Sequence, residues 1–332
     1  MSVHRMTARM RAAVALLTVA MAATAAGCGS STSDPAADTG TRQVETAKGL
    51  VTVPADPQRI VVLNGALAGY LFDLDAEVQA ADPRILGVTL EPGEFPAAWA
   101  ADAEEQGTAA VPSGDDLNLE FIAAQRPDLI IGGGPGWPGQ QTIKNYDKLA
   151  AVAPTALVPS DLANWQDQLK SVADIVNRPE QVDGMITAYN DKVEQVKSGL
   201  KLPEGAAAVW QSQADARPIL LAPNTPLATL LSDVGITMDD KIEAKAGNPE
   251  RAAAGDWVTF SPELLSTVVD APVLFVITLD GGRSIAQLKQ DPAMAMLPAF
   301  QQNQLYELPA ESKRPDYRGA MSILDLLADH FK

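Results

Sequence analysis

Apolar positions along this chain fall into short runs separated by stretches of helical spacing. Arg59-Ile60-Val61-Val62-Leu63, after a turn bounded by Pro54 and Pro57, reads as a buried strand, and Ala66 to Leu74 as the helix that follows it. A second strand is expected over Val78 to Ala81, ending at Asp82-Pro83-Arg84, with a loop-rich region from Gly87 to Gly114. Leu119 to Gln125 predicts a helix and Pro127 to Ile131 a strand. A glycine-rich loop then leads to a helix over Ile143 to Ala151 and a strand over Thr155 to Val158. Strands alternating with helices imply βαβ units and a mostly parallel sheet. The grammar then changes. Trp165, Leu169, Val172 and Val176 recur at helical spacing, Asn177-Arg178-Pro179 makes a turn, and Val182, Met185, Ile186, Tyr189, Val193 and Val196 carry an apolar stripe to Gly199. A helix of about 20 residues spans about 30 Å, the width of a small domain, so this segment predicts a long connector. Strands are expected again near 207–210, 219–222 and 273–278. The fold class is therefore α/β, with an N-terminal lobe over 47–160, connecting helices over 161–200 and a C-terminal lobe over 201–332.

The N-terminal end predicts export. Arg5, Arg9 and Arg11 precede a run of small and apolar side chains from Ala12 to Ala25, which is too short for a bilayer-spanning helix. Residues 1–27 read as a signal peptide, and Ala25-Ala26-Gly27-Cys28 resembles a lipobox, with Ala25 where leucine is usual. Cys28 is the chain's one cysteine, so no internal disulfide is available, and lipidation (a palmitate-type acyl anchor) accounts for it. Residues 28–46, rich in Ser, Thr, Asp, Gly and Ala, are expected to form a flexible tether.

Charge and composition narrow the function. Removal of the signal peptide takes three of the 25 basic residues and none of the 42 acidic ones, leaving a mature charge of −20. That argues against nucleic acid and against a polybasic membrane surface. His330 would be the sole histidine left, so Ser-His-Asp and Cys-His chemistry is excluded, and so is a bare-metal site built on several histidines. No enzyme activity, cofactor or metal site is expected. Gly134-Pro135-Gly136-Trp137-Pro138-Gly139 matches G-x-G-x-x-G by letter, but two prolines remove donors and Trp137 crowds the approach, so it reads as a cleft loop. Asp115-Asp116 and Asp239-Asp240 read as solvated loops or helix caps.

Several segments then carry a resemblance. Gly49 to Pro54 with Pro57 to Leu63, Asn118 to Ile131, and Tyr146 to Leu149 with Ala153-Pro154-Thr155 follow one another at characteristic distances. In the second half, Ser261 to Leu265 before Ala271 to Val276, and Leu297 to Phe300 before Leu305 to Leu308, continue the series. In order and spacing the chain resembles the class III periplasmic-binding proteins, specifically the ferric-siderophore branch. It departs from that pattern at Leu74-Asp75, where a Leu-Gly pair is usual. The resemblance implies two Rossmann-like α/β lobes joined by a single long α-helix, with the ligand in a cleft between them. It also implies a monomeric, extracytoplasmic solute-binding lipoprotein, anchored on the outer face of the cytoplasmic membrane, that delivers a ferric siderophore to an ABC transporter permease.

Parallel sheets place ligands beyond the carboxyl ends of their strands, so the residues that follow each strand are the candidates. In the first lobe these are Asn64, Tyr70, Arg84 and Trp137. In the second they are Trp210, Gln213, Trp257, Arg283, and Arg314 and Tyr317 in the 313–318 loop. Aromatic walls and guanidinium forks suit the apolar shell and the oxygens of a ferric chelate, whose iron is already fully ligated. Cobalamin or haem on the same fold remains open, with Tyr70, Tyr146 or Tyr317 as axial candidates for haem. So does an adaptor or enzyme on this fold.

Overall fold

The computed structural model describes residues 40–85, 87–112, 114–249, 251 and 255–332. The expected signal peptide and lipobox, with Cys28, lie outside them.

Chain order begins with a hairpin. β1 (Thr41–Thr46) and β2 (Gly49–Pro54) pair antiparallel from Thr41 against Pro54 to Thr46 against Gly49. Gly49 takes φ +82° at the turn, where the Thr46 hydroxyl accepts from Lys48 N and donates to the Gly49 carbonyl. Residues 41–46, expected within the tether, are thus a strand. Val44 and Thr46 alternate inward with Val53, and that buried face outweighs the polar composition.

In the first lobe β3 (Ile60–Val62), α1 (Gly65–Asp73), β4 (Val78–Ala81), α2 (Ala100–Gln106), β5 (Ala109–Ala110), α3 (Leu119–Ala124) and β6 (Leu129–Gly133) come first. They are followed by α4 (Gly136–Lys144), α5 (Tyr146–Ala150) and β7 (Thr155–Val158). The sheet runs β5-β4-β3-β6-β7, all parallel, so strand order reverses between β3 and β6. The region expected as loop over 87–114 contains α2 and β5. The helix expected over 143–151 is two helices meeting at Asn145, and the first begins inside the glycine-rich segment. Pro138 is tolerated there because a first-turn residue has no intrahelical acceptor to lose. Asp75 occupies a left-handed position, φ +51°, just past the end of α1. That conformation favours glycine and tolerates aspartate, which explains how Asp75 stands where a Leu-Gly pair is usual.

α6 (Trp165–Ile175), a 3₁₀ turn at Pro179–Gln181 and α7 (Val182–Gly199) carry the chain from one lobe to the other. Trp165 is core, packed edge-on to Tyr189 at 5.1 Å between ring centroids.

The second lobe contains β8 (Ala207–Ser212), β9 (Ile219–Leu221), α8 (Pro226–Asp233), α9 (Ile242–Lys245), β10 (Trp257–Thr259), α10 (Leu265–Val268) and β11 (Val273–Thr278). Beyond β11 come α11 (Ile285–Leu288), α12 (Pro292–Ala295), α13 (Pro298–Gln301), β12 (Leu305–Leu308) and α14 (Tyr317–His330). Its sheet runs β10-β9-β8-β11-β12, with strand order reversing between β8 and β11. β8, β11 and β12 are parallel, whereas β9 is antiparallel to both its neighbours. The 213–218 connection is too short for a crossover helix, so β8 and β9 form a hairpin.

α14 was not expected. Ala320, Ile323, Leu324 and Leu327 bury one face of it, and it packs against α7, α6 and α1. The C-terminal helix therefore crosses back to the first lobe and gives the lobes a second, noncovalent tie.

Candidate functional site

The reversal in strand order within each sheet opens a crevice at the carboxyl ends of its strands, where α/β folds bind ligands. Here the two crevices face each other. The loop after β4 meets the loop after β11: Asp280 N–H donates to the Gly87 carbonyl at 3.3 Å. Leu279 lies so close that a Cβ on Gly87 would stand 2.5 Å from it.

Beside this contact is a cavity of about 540 Å³. Gly65, Ala66, Ile85 and Val88 line it from the first lobe, and Pro309, Glu311, Ser312 and Arg314 from the second, while Asp316 and Arg318 come from the start of α14. A second cavity of about 360 Å³ adjoins it through Val88 and Leu90, lined by Arg84, Glu91 and the residues after β5. Both volumes suit a small organic ligand. Glycine is required at the floor: a Cβ at Gly65 would stand 2.6 Å from the Arg84 carbonyl oxygen and 2.9 Å from that of Asp82.

Arg84 is held by a buried carboxylate. Its Nε donates to Asp82 Oδ1 at 2.9 Å and its Nη2 to Oδ2 at 2.5 Å. Nη2 also reaches Gln141 Oε1 at 2.6 Å and Nη1 the Gly114 carbonyl at 3.0 Å. Asp82 is 1% exposed. Across the cleft Arg314 forms a fork with Asp256, Nε to Oδ2 at 2.6 Å and Nη2 to Oδ1 at 2.7 Å. Lys313 shares Asp256 at 3.6 Å and sets its ammonium 2.8 Å above the centre of the Trp257 ring. Lys313 is buried, and desolvation outweighs Asp256 to pull its pKa down to about 7. At the mouth, Arg318 donates to Asp73 Oδ1 at 2.6 Å, to the Ala98 carbonyl at 3.0 Å and to Asp102. Burial raises Asp73 to about 6 despite Arg318, with Asp316 and Asp102 adding to the rise. Burial likewise raises Asp316.

Of the sequence-predicted residues, Arg84 and Arg314 line the cavities. The others are placed elsewhere. Asn64 is buried, caps α1 through Ala66 N and braces the Gly133 and Pro135 carbonyls. Tyr70 faces the core from α1, fully buried. Trp137 is 55% exposed in the first turn of α4, away from both cavities, so the loop expected to border the cleft does not border these cavities. Trp210 lies within β8, which runs two residues further than expected, and its ring packs beneath the sheet with Nε1 unpartnered. Gln213 joins Gln211 and Asp215 in the β8–β9 turn. Trp257 supports Lys313 from behind Arg314. Arg283 pairs with Asp291 at 2.7 Å, and Tyr317 packs on Trp165 at 5.4 Å. None of the haem candidates Tyr70, Tyr146 and Tyr317 lines either cavity. Sequence reasoning missed Trp99, Glu311 and the aliphatic wall of Ile85, Val88 and Leu90. Arg318 fell within the 313–318 segment, but its position on a helix was not read. Among the described residues no cluster of three or more His, Cys, Asp and Glu is placed to hold a metal ion, and no helix is long and apolar enough to cross a membrane.

Comparisons with known proteins bear on the family and the fold. A family model described as periplasmic binding protein matches residues 60–312. The ferric enterobactin-binding periplasmic protein FepB of Escherichia coli O6:H1 is 28% identical over 288 residues, covering 86% of this chain and 89% of that one. Among solved structures, holo-ViuP superposes with a TM-score of 0.72 at 24% identity, over 87% of this chain and 95% of that one. Staphylococcus aureus SirA complexed with staphyloferrin B superposes at 0.68 and 20% identity, over 88% and 99%. These relatives are binding proteins, not enzymes.

Proposed function

Because the chain belongs to the periplasmic binding protein family, we propose that it captures a ferric siderophore outside the cytoplasm and delivers it to an ABC importer. The observation that carries this reading is the inter-lobe cavity, which Arg314 lines from the second lobe, with Arg84 lining the cavity that adjoins it in the first. A ferric chelate brings its own iron ligands, so a cleft with donors and apolar walls but no metal cluster among the described residues suits it. The likeness to FepB supports the same substrate class.

The test is a titration of the purified protein with ferric hydroxamates, catecholates and carboxylates, and with cobalamin and haem, followed by tryptophan emission. Trp99 stands in the wall of the larger cavity, within reach of quenching by a bound ferric chelate. Saturable quenching at sub-micromolar concentration by a ferric chelate and not by its iron-free form is expected. A response confined to cobalamin or haem would replace the substrate, and silence throughout would leave the adaptor reading.

The anchor belongs to the same reading. Acylation at Cys28 tethers the binding domain beside the permease, which raises its local concentration there. Metabolic labelling with a palmitate analogue is expected to mark the wild-type protein and to be lost in Cys28→Ala. Equal labelling of both would rule the anchor out.

A further inference from the structure

The charge balance of the cleft narrows the class of ferric siderophore it can take, an inference that rests on the function proposed for the chain. Among the described residues, the cationic groups that line the cavities, or share carboxylates with those that do, are Arg84, Arg314, Arg318 and Lys313. Each is already committed: Arg84 to Asp82, Arg314 and Lys313 to Asp256, Arg318 to Asp73 and Asp102. Glu91, Glu311 and Asp316 add three more carboxyl groups to the lining. Even with Asp73 and Asp316 holding protons, carboxylates outnumber cations. A trianion entering here would meet guanidinium groups whose charge is already neutralised by Asp82 and Asp256, which are 1% and 5% exposed, so it would gain little attraction.

The walls point the same way. Ile85, Val88, Leu90, Pro96, Pro309 and Pro315 present aliphatic surface. Trp99, the aromatic residue in the lining, is 1% exposed, stacked on Phe72 and tilted against Phe95, with little ring face to offer a catechol.

We propose that the ligand is a ferric hydroxamate of zero or positive net charge. Three hydroxamates lose one proton each and neutralise Fe(III), and a pendant ammonium leaves the complex a monocation. Three catechols lose two protons each and leave a trianion, which is the class named for FepB.

Three probes separate the cases: the iron complex of desferrioxamine B (a cationic trishydroxamate), ferrichrome (neutral) and ferric enterobactin (a trianion). The two hydroxamates are expected to bind tighter than the trianion by about tenfold or more. Glu311 is exposed on the cavity wall, so Glu311→Gln leaves the fold intact. It is expected to weaken the cation by about threefold, to strengthen the trianion by a similar factor and to leave ferrichrome unchanged. Binding of the trianion as tightly as the hydroxamates would overturn the charge inference and keep the siderophore reading. Failure of every ferric chelate to bind would overturn both.

Discussion

Replacing Arg84 with methionine is expected to lower the free energy of unfolding by about 3–5 kcal/mol. The effect comes from what the substitution leaves behind. Asp82 is almost fully buried at the end of β4 and takes both inward-facing guanidinium bonds. Without Arg84 its Oδ1 keeps the backbone N–H of residue 84 at 3.0 Å, and its charge has no counter-ion among its described contacts. Gln141 and the Gly114 carbonyl each lose a donor, although Gln141 still donates to the Asp115 carbonyl. Thermal unfolding followed by circular dichroism reads the loss as a fall of roughly 10 °C for a chain of this size. A change below about 1 kcal/mol would mean that Asp82 finds solvent or another partner, and that Arg84 is free to engage a ligand at no cost to the fold.

The opposite sign is expected at Lys313. Its ammonium is buried over Trp257, and its pKa falls from 10.5 to about 7. The folded protein therefore releases this proton before the unfolded chain does. The contribution of Lys313 to stability is least favourable below pH 7 and improves as pH climbs from about 7 towards 10.5, by about 5 kcal/mol over the whole window. Lys313→Met removes the burial cost and leaves Asp256 in its bidentate pair with Arg314. It is expected to stabilise the protein by about 1–4 kcal/mol at pH 7 and to flatten the alkaline rise. Denaturant melts at about pH 6, 8 and 10, compared between wild type and variant, decide the matter. A destabilised variant with an unchanged pH slope would show that the contact of Lys313 with Trp257 and Asp256 outweighs its desolvation.

The contrast between these two cations marks how far sequence reading reached. Continuous apolar runs identified β3, β4, β7, β8 and β11, because a strand covered on both faces needs no alternation to be seen. The position of Arg84 beside a cavity was legible because it stands in the loop just after β4, whereas Arg314 lies beyond β12 and a 3₁₀ turn at Ala310–Lys313. That of Trp210 was not. A two-residue error in the end of β8 moved it from loop to strand, and strand alternation then turned its ring under the sheet. Tyr70 failed for a similar reason, since its place on α1 sets its direction and the core claims that face. α14 was hidden because its first turn begins in a segment of charges and prolines, with the apolar face starting at Ala320. Missing that helix concealed the second tie between the lobes and the placement of Asp316 and Arg318 at its start. Lys313 illustrates the remaining gap: nothing local in Glu-Ser-Lys-Arg announces a buried ammonium, and its state depends on Asp256 and Trp257, far away in sequence.

On the reading proposed above, a ferric chelate occupies the cavity between the lobes. Ala66 lines that cavity from the first turn of α1, so Ala66→Trp fills it from the floor. The deciding measurement is the dissociation constant of the tightest ferric chelate for the wild-type protein and for Ala66→Trp, with thermal unfolding of both as the control for folding. Sub-micromolar binding is expected of wild type, and loss of binding from a variant that still melts cooperatively near the wild-type temperature. Undiminished affinity in a folded Ala66→Trp would contradict the claim and place the ligand elsewhere.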